Sequence, residues 1–197
     1  MVGEQGVSDW PISDLADRAD VALGSFYNHF ADRDEFLQEL VQYYVLDRQE
    51  QLLDRNIPDG GYAVRVAHRF AYLVDLAIDD TEHRRFFVSV GLGGFLYRDD
   101  VNAGFEQRLT AALAAGHIVS RDVAFTLSCL RGLGLSLFRH IDFIAATAPE
   151  TINRATLRAE SIRMALAISN VSDVDVEELM ALADSLEPLN SAELMSD

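Results

Sequence analysis

Apolar residues recur at spacings of three and four along most of the chain, and no stretch alternates with period two, so the pattern predicts an all-α protein. Ile12, Leu15, Ala16 and Ala19 give one side of a short helix, with Ser13 as its expected N-cap. A second short helix is predicted from Ala22 or Leu23 through His29, with Phe26 and Phe30 four apart on its inner side. A longer one starts at Arg33 and runs to about Arg55, burying Phe36, Leu37, Leu40, Val41 and Tyr44. Asn56-Ile57-Pro58-Asp59-Gly60-Gly61 breaks the pattern. Helices are then expected over residues 62–78, 82–97 and 100–115, the last closed by Gly116. Residues 117–121 connect, with Ser120 as an N-cap. Two long helices follow, over residues 121–146 and after Pro149. The tail from Asp173 holds a short amphipathic segment of Val176, Leu179, Met180, Leu182, Ala183 and Leu186, expected to pack on the body or on a second subunit, and residues 190–197 read as disordered.

The first two helices read as a helix-turn-helix. Asp20 sits at the turn, where Asp tolerates the left-handed backbone better than most residues. Val21 is expected to plug the space between the two helices. Ser25, Tyr27, Asn28 and His29 fall on the outer side of the second helix, and all can hydrogen-bond. Gly24 leaves room for a DNA backbone to approach. In such motifs the second helix enters the major groove and the first crosses the backbone.

Leu15-Ala16, Ala19-Asp20-Val21, Gly24 through Phe30 and Arg33-Asp34-Glu35-Phe36-Leu37 together resemble the TetR family of repressors. The match is dense over Ile12–Leu37; beyond it only length and helical pattern agree. The resemblance implies that Tyr27 and His29 grip phosphates, that Ser25 and Asn28 lie near bases, and that Arg33 replaces a phosphate-binding Lys. It implies a DNA-binding head over residues 1–46 and a helical ligand-binding and dimerisation body over 47–197. Three positions depart from the family: Asp20 stands for the turn glycine, Ala22 for a Ser or Thr cap, and Leu23 for a polar or basic residue. A further helix is expected ahead of Gly6, yet only Met1–Gly6 stand there. Either the start codon lies too late, the chain was trimmed, or that helix is lacking.

Charge sharpens the question. The formal net charge is −16, and all sixteen basic residues are Arg. Residues 1–50 hold eleven acids against three Arg, 51–170 hold thirteen of each, and 171–197 hold eight acids and no Arg. Phosphate neutralisation supplies most non-specific DNA affinity, so an acidic head predicts weak, salt-sensitive binding. Asp32, Asp34 and Glu35 at a helix start complement its dipole.

By resemblance, the last two long helices form a four-helix bundle with a second copy. The stripe of Leu127, Leu130, Gly134, Leu137 and Ile141, with Ile152, Ala155, Ala159, Ile162 and Leu166, is the expected dimer interface; the competing reading is intrachain packing. A two-fold dimer presents two heads to a palindromic double-stranded operator. Phe86, Phe87, Phe95, Phe105, Phe125 and Cys129 are candidates to line a pocket for a small-molecule effector, with His68, Tyr72 and Arg131 as polar anchors. For any single one of them, core is the readier reading.

The 197 residues are 49% hydrophobic, enough for a sizeable core. No signal peptide and no membrane-spanning run is read, and the single Cys129 excludes an intrachain disulfide, so a cytoplasmic protein is expected. The five histidines are scattered and form no metal spacing, and no nucleophile or phosphate-loop motif occurs. No catalytic residue, metal or cofactor is expected. Two functions remain: a repressor released by a small apolar ligand, or a DNA-binding-deficient sensing or interaction dimer.

Overall fold

The computed structural model describes residues 11–41, 61–90 and 99–171, with 175, 177–179 and 181, and gives backbone alone at 41, 90 and 99–105. Its helices are α1 (Ile12–Arg18), α2 (Leu23–His29), α3 (Arg33–Val41), α4 (Tyr62–Asp79), α5 (Thr81–Val90), α6 (Asp99–Ala114), α7 (Val123–Thr147) and α8 (Arg154–Ile168). No strand occurs among the described residues, only an isolated antiparallel bridge between Ile118 and Val171. The all-α class follows. Val41 and Tyr44 as buried positions, the continuation to Arg55, the 56–60 break and residues 91–98 lie outside what is described.

α4 is the axis of the body. From Val66 to Ala77 every residue but Arg69 is buried. A helix apolar on all sides must be covered on all sides. Here α8 lies along it, and α7 and α5 pack on its remaining faces. Val74, Phe138, Ile141 and Ile162 are fully enclosed where these helices meet. From the head, Leu15, Phe36, Leu37 and Leu40 pack against the same core. Leu179 of the tail is buried there too, so this part of the tail folds back on the body. A second, smaller cluster joins Leu109 and Ala112 of α6 to Ile118 and Leu127.

Polar ties fix the helices in register. Arg84 of α5 is 5% exposed; its Nη1 donates to the Ala77 carbonyl at 2.6 Å and its Nε to Asp142 of α7 at 3.1 Å. Tyr62 at the start of α4 bonds Ser169 at the end of α8 at 2.8 Å. At the other end, Arg154 donates to Asp75 at 2.8 Å and to Asp79 at 2.6 Å, and Arg158 forms a two-pronged pair with Asp75. α8 therefore runs antiparallel to α4, tied at both ends.

Several boundaries differ from the sequence reading, each for a local reason. Ser13 does not cap α1; Pro11 precedes it, and Ser13 sits in the first turn with its hydroxyl on Asp14. Ala19 is exposed rather than inward. Asp122, not Ser120, caps α7, accepting from the Phe125 N–H at 2.9 Å, while Ser120 accepts from Asp122 N–H and bonds Thr126. α8 does not start at Pro149: Pro149–Thr151 form a 3-10 turn, and Asn153 caps the helix by accepting from Thr156 N–H at 3.0 Å. Pro fits the first turn of either helix type, so its position alone does not separate them.

Candidate nucleic-acid interface and ligand anchors

α1 and α2 are short, seven residues each, and owe their geometry to the turn between them. Asp20 takes φ 54° there. The Val21 N–H then donates back to the Ala16 carbonyl at 3.0 Å, ending α1. Phe26 is 6% exposed and stacks in a ring cluster with Phe30 at 5.1 Å and Phe36 at 5.5 Å. This aromatic wedge holds α2 against α3 and fixes which side of α2 faces out.

The outward side holds the residues expected to meet DNA. Ser25, Asn28 and His29 are exposed, and Tyr27 is 53% exposed. A Cβ on Gly24 would meet nothing within 4 Å, so packing within the chain does not require glycine there. Arg33 is placed differently from the others. It is half-buried with Nε and Nη2 covered, at the start of α3 rather than projecting from α2. The reading side also carries apolar groups. Val21 is 46% exposed and Leu23 44% exposed. Val21 is thus not the buried plug expected from sequence; the buried residues of α1 and α2 are Ala16 and Phe26.

Two of the acids near this face have structural work. Asp32 accepts from Glu35 N–H at 2.9 Å, and Glu35 reaches back to Ala31 N–H, a reciprocal cap related to the capping box. Asp20 has no such role. A non-glycine residue in the left-handed region costs roughly 1–2 kcal/mol. Ala22 begins α2 with no side-chain cap, which costs roughly 1 kcal/mol against Ser. Asp20→Gly and Ala22→Ser are therefore each expected to raise stability by about 1 kcal/mol. Asp20→Gly should also tighten DNA binding by removing a negative charge. Urea denaturation and fluorescence anisotropy on DNA check the two effects separately.

In the body, the described members of the expected pocket differ in exposure. Phe86 and Phe87 are buried but already packed, Phe87 stacking on Phe138 at 4.7 Å with His83 beside it. Phe125 is 67% exposed. Cys129 is half-buried. Phe95 and the Phe105 side chain lie outside the described residues. The polar anchors behave otherwise. His68 is 5% exposed and Tyr72 4%, and neither His68 Nδ1 nor Tyr72 Oη has a hydrogen-bond partner among the described residues. Burial pushes the His68 imidazole down and the Tyr72 hydroxyl up to about 12. Arg131 is half-buried; burial, then the nearby Arg69 charge, lowers it, and Glu106 opposes.

The expected dimer stripe is divided. Leu127, Leu137, Ile141, Ile162 and Leu166 are buried within the chain itself, so they are core. Leu130 packs on that core, and a Cβ at Gly134 would touch Leu73 of α4 at 3.7 Å. Ile152 and Ala159 are half-buried and Ala155 is exposed. The α7 stripe meets α6 at Leu127 and the main core at Leu137 and Ile141, because α7 is apolar on more than one side and periodicity does not say which side meets which neighbour. The outer faces carry Phe143, 65% exposed, and Met164, 51% exposed. Among the described residues no cluster of His, Cys, Asp or Glu is arranged to hold a metal, and no helix is long and apolar enough to cross a membrane.

A helix-turn-helix with an open outer face, packed through α3 onto an all-helical body, is the build of a DNA-binding transcriptional regulator. Residues 1–40 match the family described as bacterial regulatory proteins, tetR family. The whole chain shares the fold of RolR. It is 22% identical to RolR without ligand, at a TM-score of 0.61, with 95% of this chain and 92% of that one covered. Against RolR in complex with resorcinol the identity is 21% and the TM-score 0.60, with 95% and 89% covered. No curated protein matches the chain.

Proposed function

We propose that the protein is a repressor that binds a palindromic operator as a homodimer and leaves it when a small, largely apolar ligand enters the body. The observation that carries the reading is the outer face of α2, where Ser25, Tyr27, Asn28 and His29 project around an open Gly24. Those side chains suit phosphate oxygens and base edges. The RolR complex with resorcinol supports a small ring compound as the ligand class. The dimer is placed on the outer faces of α7 and α8, around Phe143 and Met164, since an exposed apolar surface is stabilised by a partner. The inner stripe is already filled.

The test is anisotropy of labelled promoter DNA with the full chain across a salt series. Specific binding that weakens steeply with salt is expected. Tyr27→Ala should weaken it by roughly tenfold, equivalent to about 1.4 kcal/mol, without changing the melting temperature, because Tyr27 is exposed. Resorcinol should release the DNA. The acidity of residues 1–50 favours the second reading, a sensing dimer that has lost DNA affinity. Absence of binding at low salt, with a dimer in sedimentation, would select it.

A further inference from the structure

Besides Arg65 and Arg69, which are not buried, α4 carries one row of polar residues along its length. His68, Tyr72, Asp75 and Asp79 follow at spacings of four, three and four, so they share a face. The row is treated unequally. Asp75 and Asp79 are saturated by Arg154 and Arg158 of α8. His68 and Tyr72 lie on α4 between that tie and the Tyr62–Ser169 tie, and His68 Nδ1 and Tyr72 Oη have no hydrogen-bond partner among the described residues. Leaving a buried hydroxyl or imidazole unpaired is unfavourable, whereas Phe or Leu would fill the same space without that cost. The fold itself therefore gains nothing from these two polar groups.

We propose that His68 and Tyr72 are the polar anchors of a binding site for a small uncharged phenol, whose hydroxyl accepts from Tyr72 and donates to His68 Nδ1. The inference rests on the ligand-responsive reading above and names its ligand class. A hydroxyl is the group that both donates and accepts at one oxygen. Residues four apart on a helix are neighbours on one face, with Cβ atoms about 5–6 Å apart, so the two unpaired groups belong to the same stretch of α4. A phenol donates more strongly than an aliphatic alcohol, which suits an imidazole acceptor. The site presents no fixed charge from this pair: burial alone depresses His68, and Tyr72 stays protonated. The charges that act on Tyr72 from nearby, Arg69 and Asp80, oppose one another, so a carboxylate would lose its hydration there with no countercharge from either anchor.

The experiment is calorimetric titration of the full chain with phenol and 2-naphthol, against anisole, 2-methoxynaphthalene and benzoate. At least one phenol is expected to bind, with its methyl ether and benzoate at least tenfold weaker. Tyr72→Phe and His68→Leu should each raise the Kd of that phenol by roughly tenfold. Tyr72→Phe should leave the ligand-free melting temperature unchanged or raise it, because an orphaned hydroxyl is removed. Equal binding of phenols and ethers, binding of neither phenol, or unchanged affinity in Tyr72→Phe overturns the proposal. So does a lower melting temperature for Tyr72→Phe, which would make its hydroxyl a structural bond. Promoter binding by the same samples without ligand separates the two readings. DNA binding without phenol binding sinks this inference alone, and phenol binding without DNA binding supports it while sinking the repressor.

Discussion

Asp75→Ala is expected to destabilise the folded chain by roughly 3–5 kcal/mol, the cost of breaking a buried ion pair from one side. The Asp75 side chain is 6% exposed and that of Arg158 9%. Without Asp75, the Arg158 guanidinium keeps its desolvation cost and loses its two-pronged acceptor. Arg154 fares better. It is 35% exposed and retains Asp79 at 2.6 Å. Burial of a pair is not itself a gain, since an apolar replacement of both partners is often neutral. Asp75→Leu with Arg158→Met is therefore expected to recover much of the loss. Urea denaturation reads both variants, with the midpoint falling and the slope unchanged for Asp75→Ala. A loss below about 1 kcal/mol for Asp75→Ala would mean that the pair is hydrated, as surface pairs are. The consequence reaches function, because this tie sets how α8, expected to carry part of the dimer face, lies on α4.

Acid is expected to unfold the protein early, through His83. Its ring is 9% exposed between Phe87 at 4.7 Å and Phe138 at 6.1 Å. Burial pushes its pKa down to about 4, with the nearby Asp80 opposing. Above the unfolded value of about 6.5 both states are neutral and His83 has no effect. As pH falls below that value, the unfolded chain takes up the proton and the folded chain does not. Stability then falls by up to about 1.4 kcal/mol per pH unit until pH nears 4, a total of roughly 3 kcal/mol. His68, also depressed by burial, acts in the same direction. The difference in stability between the wild type and His83→Phe, followed from pH 7 to pH 4, isolates the His83 part. If both lose stability in parallel, His83 is not the group responsible.

What was legible in the sequence was the pattern that depends on near neighbours in the chain. The all-α class and the position of α2 follow from spacing, and its outer residues Ser25, Tyr27, Asn28 and His29 follow from the inward pair Phe26 and Phe30. The left-handed turn at Asp20 was readable because that conformation is a property of one residue type at one place. Which face of a helix meets which neighbour was decided only by the tertiary structure. α7 is apolar on several sides, and only its packing on α4 and α5 shows that Leu137 and Ile141 are core while Phe143 remains outside. Val21 was misplaced for the same reason: a single apolar residue at a turn has no period to orient it. The ties of Asp75 to Arg154 and Arg158 span about eighty positions, and no local rule pairs charges across that separation. The orphaned atoms of His68 and Tyr72 belong with them. A side chain's chemistry is written in its identity, but whether it has a partner is settled by what the fold brings beside it.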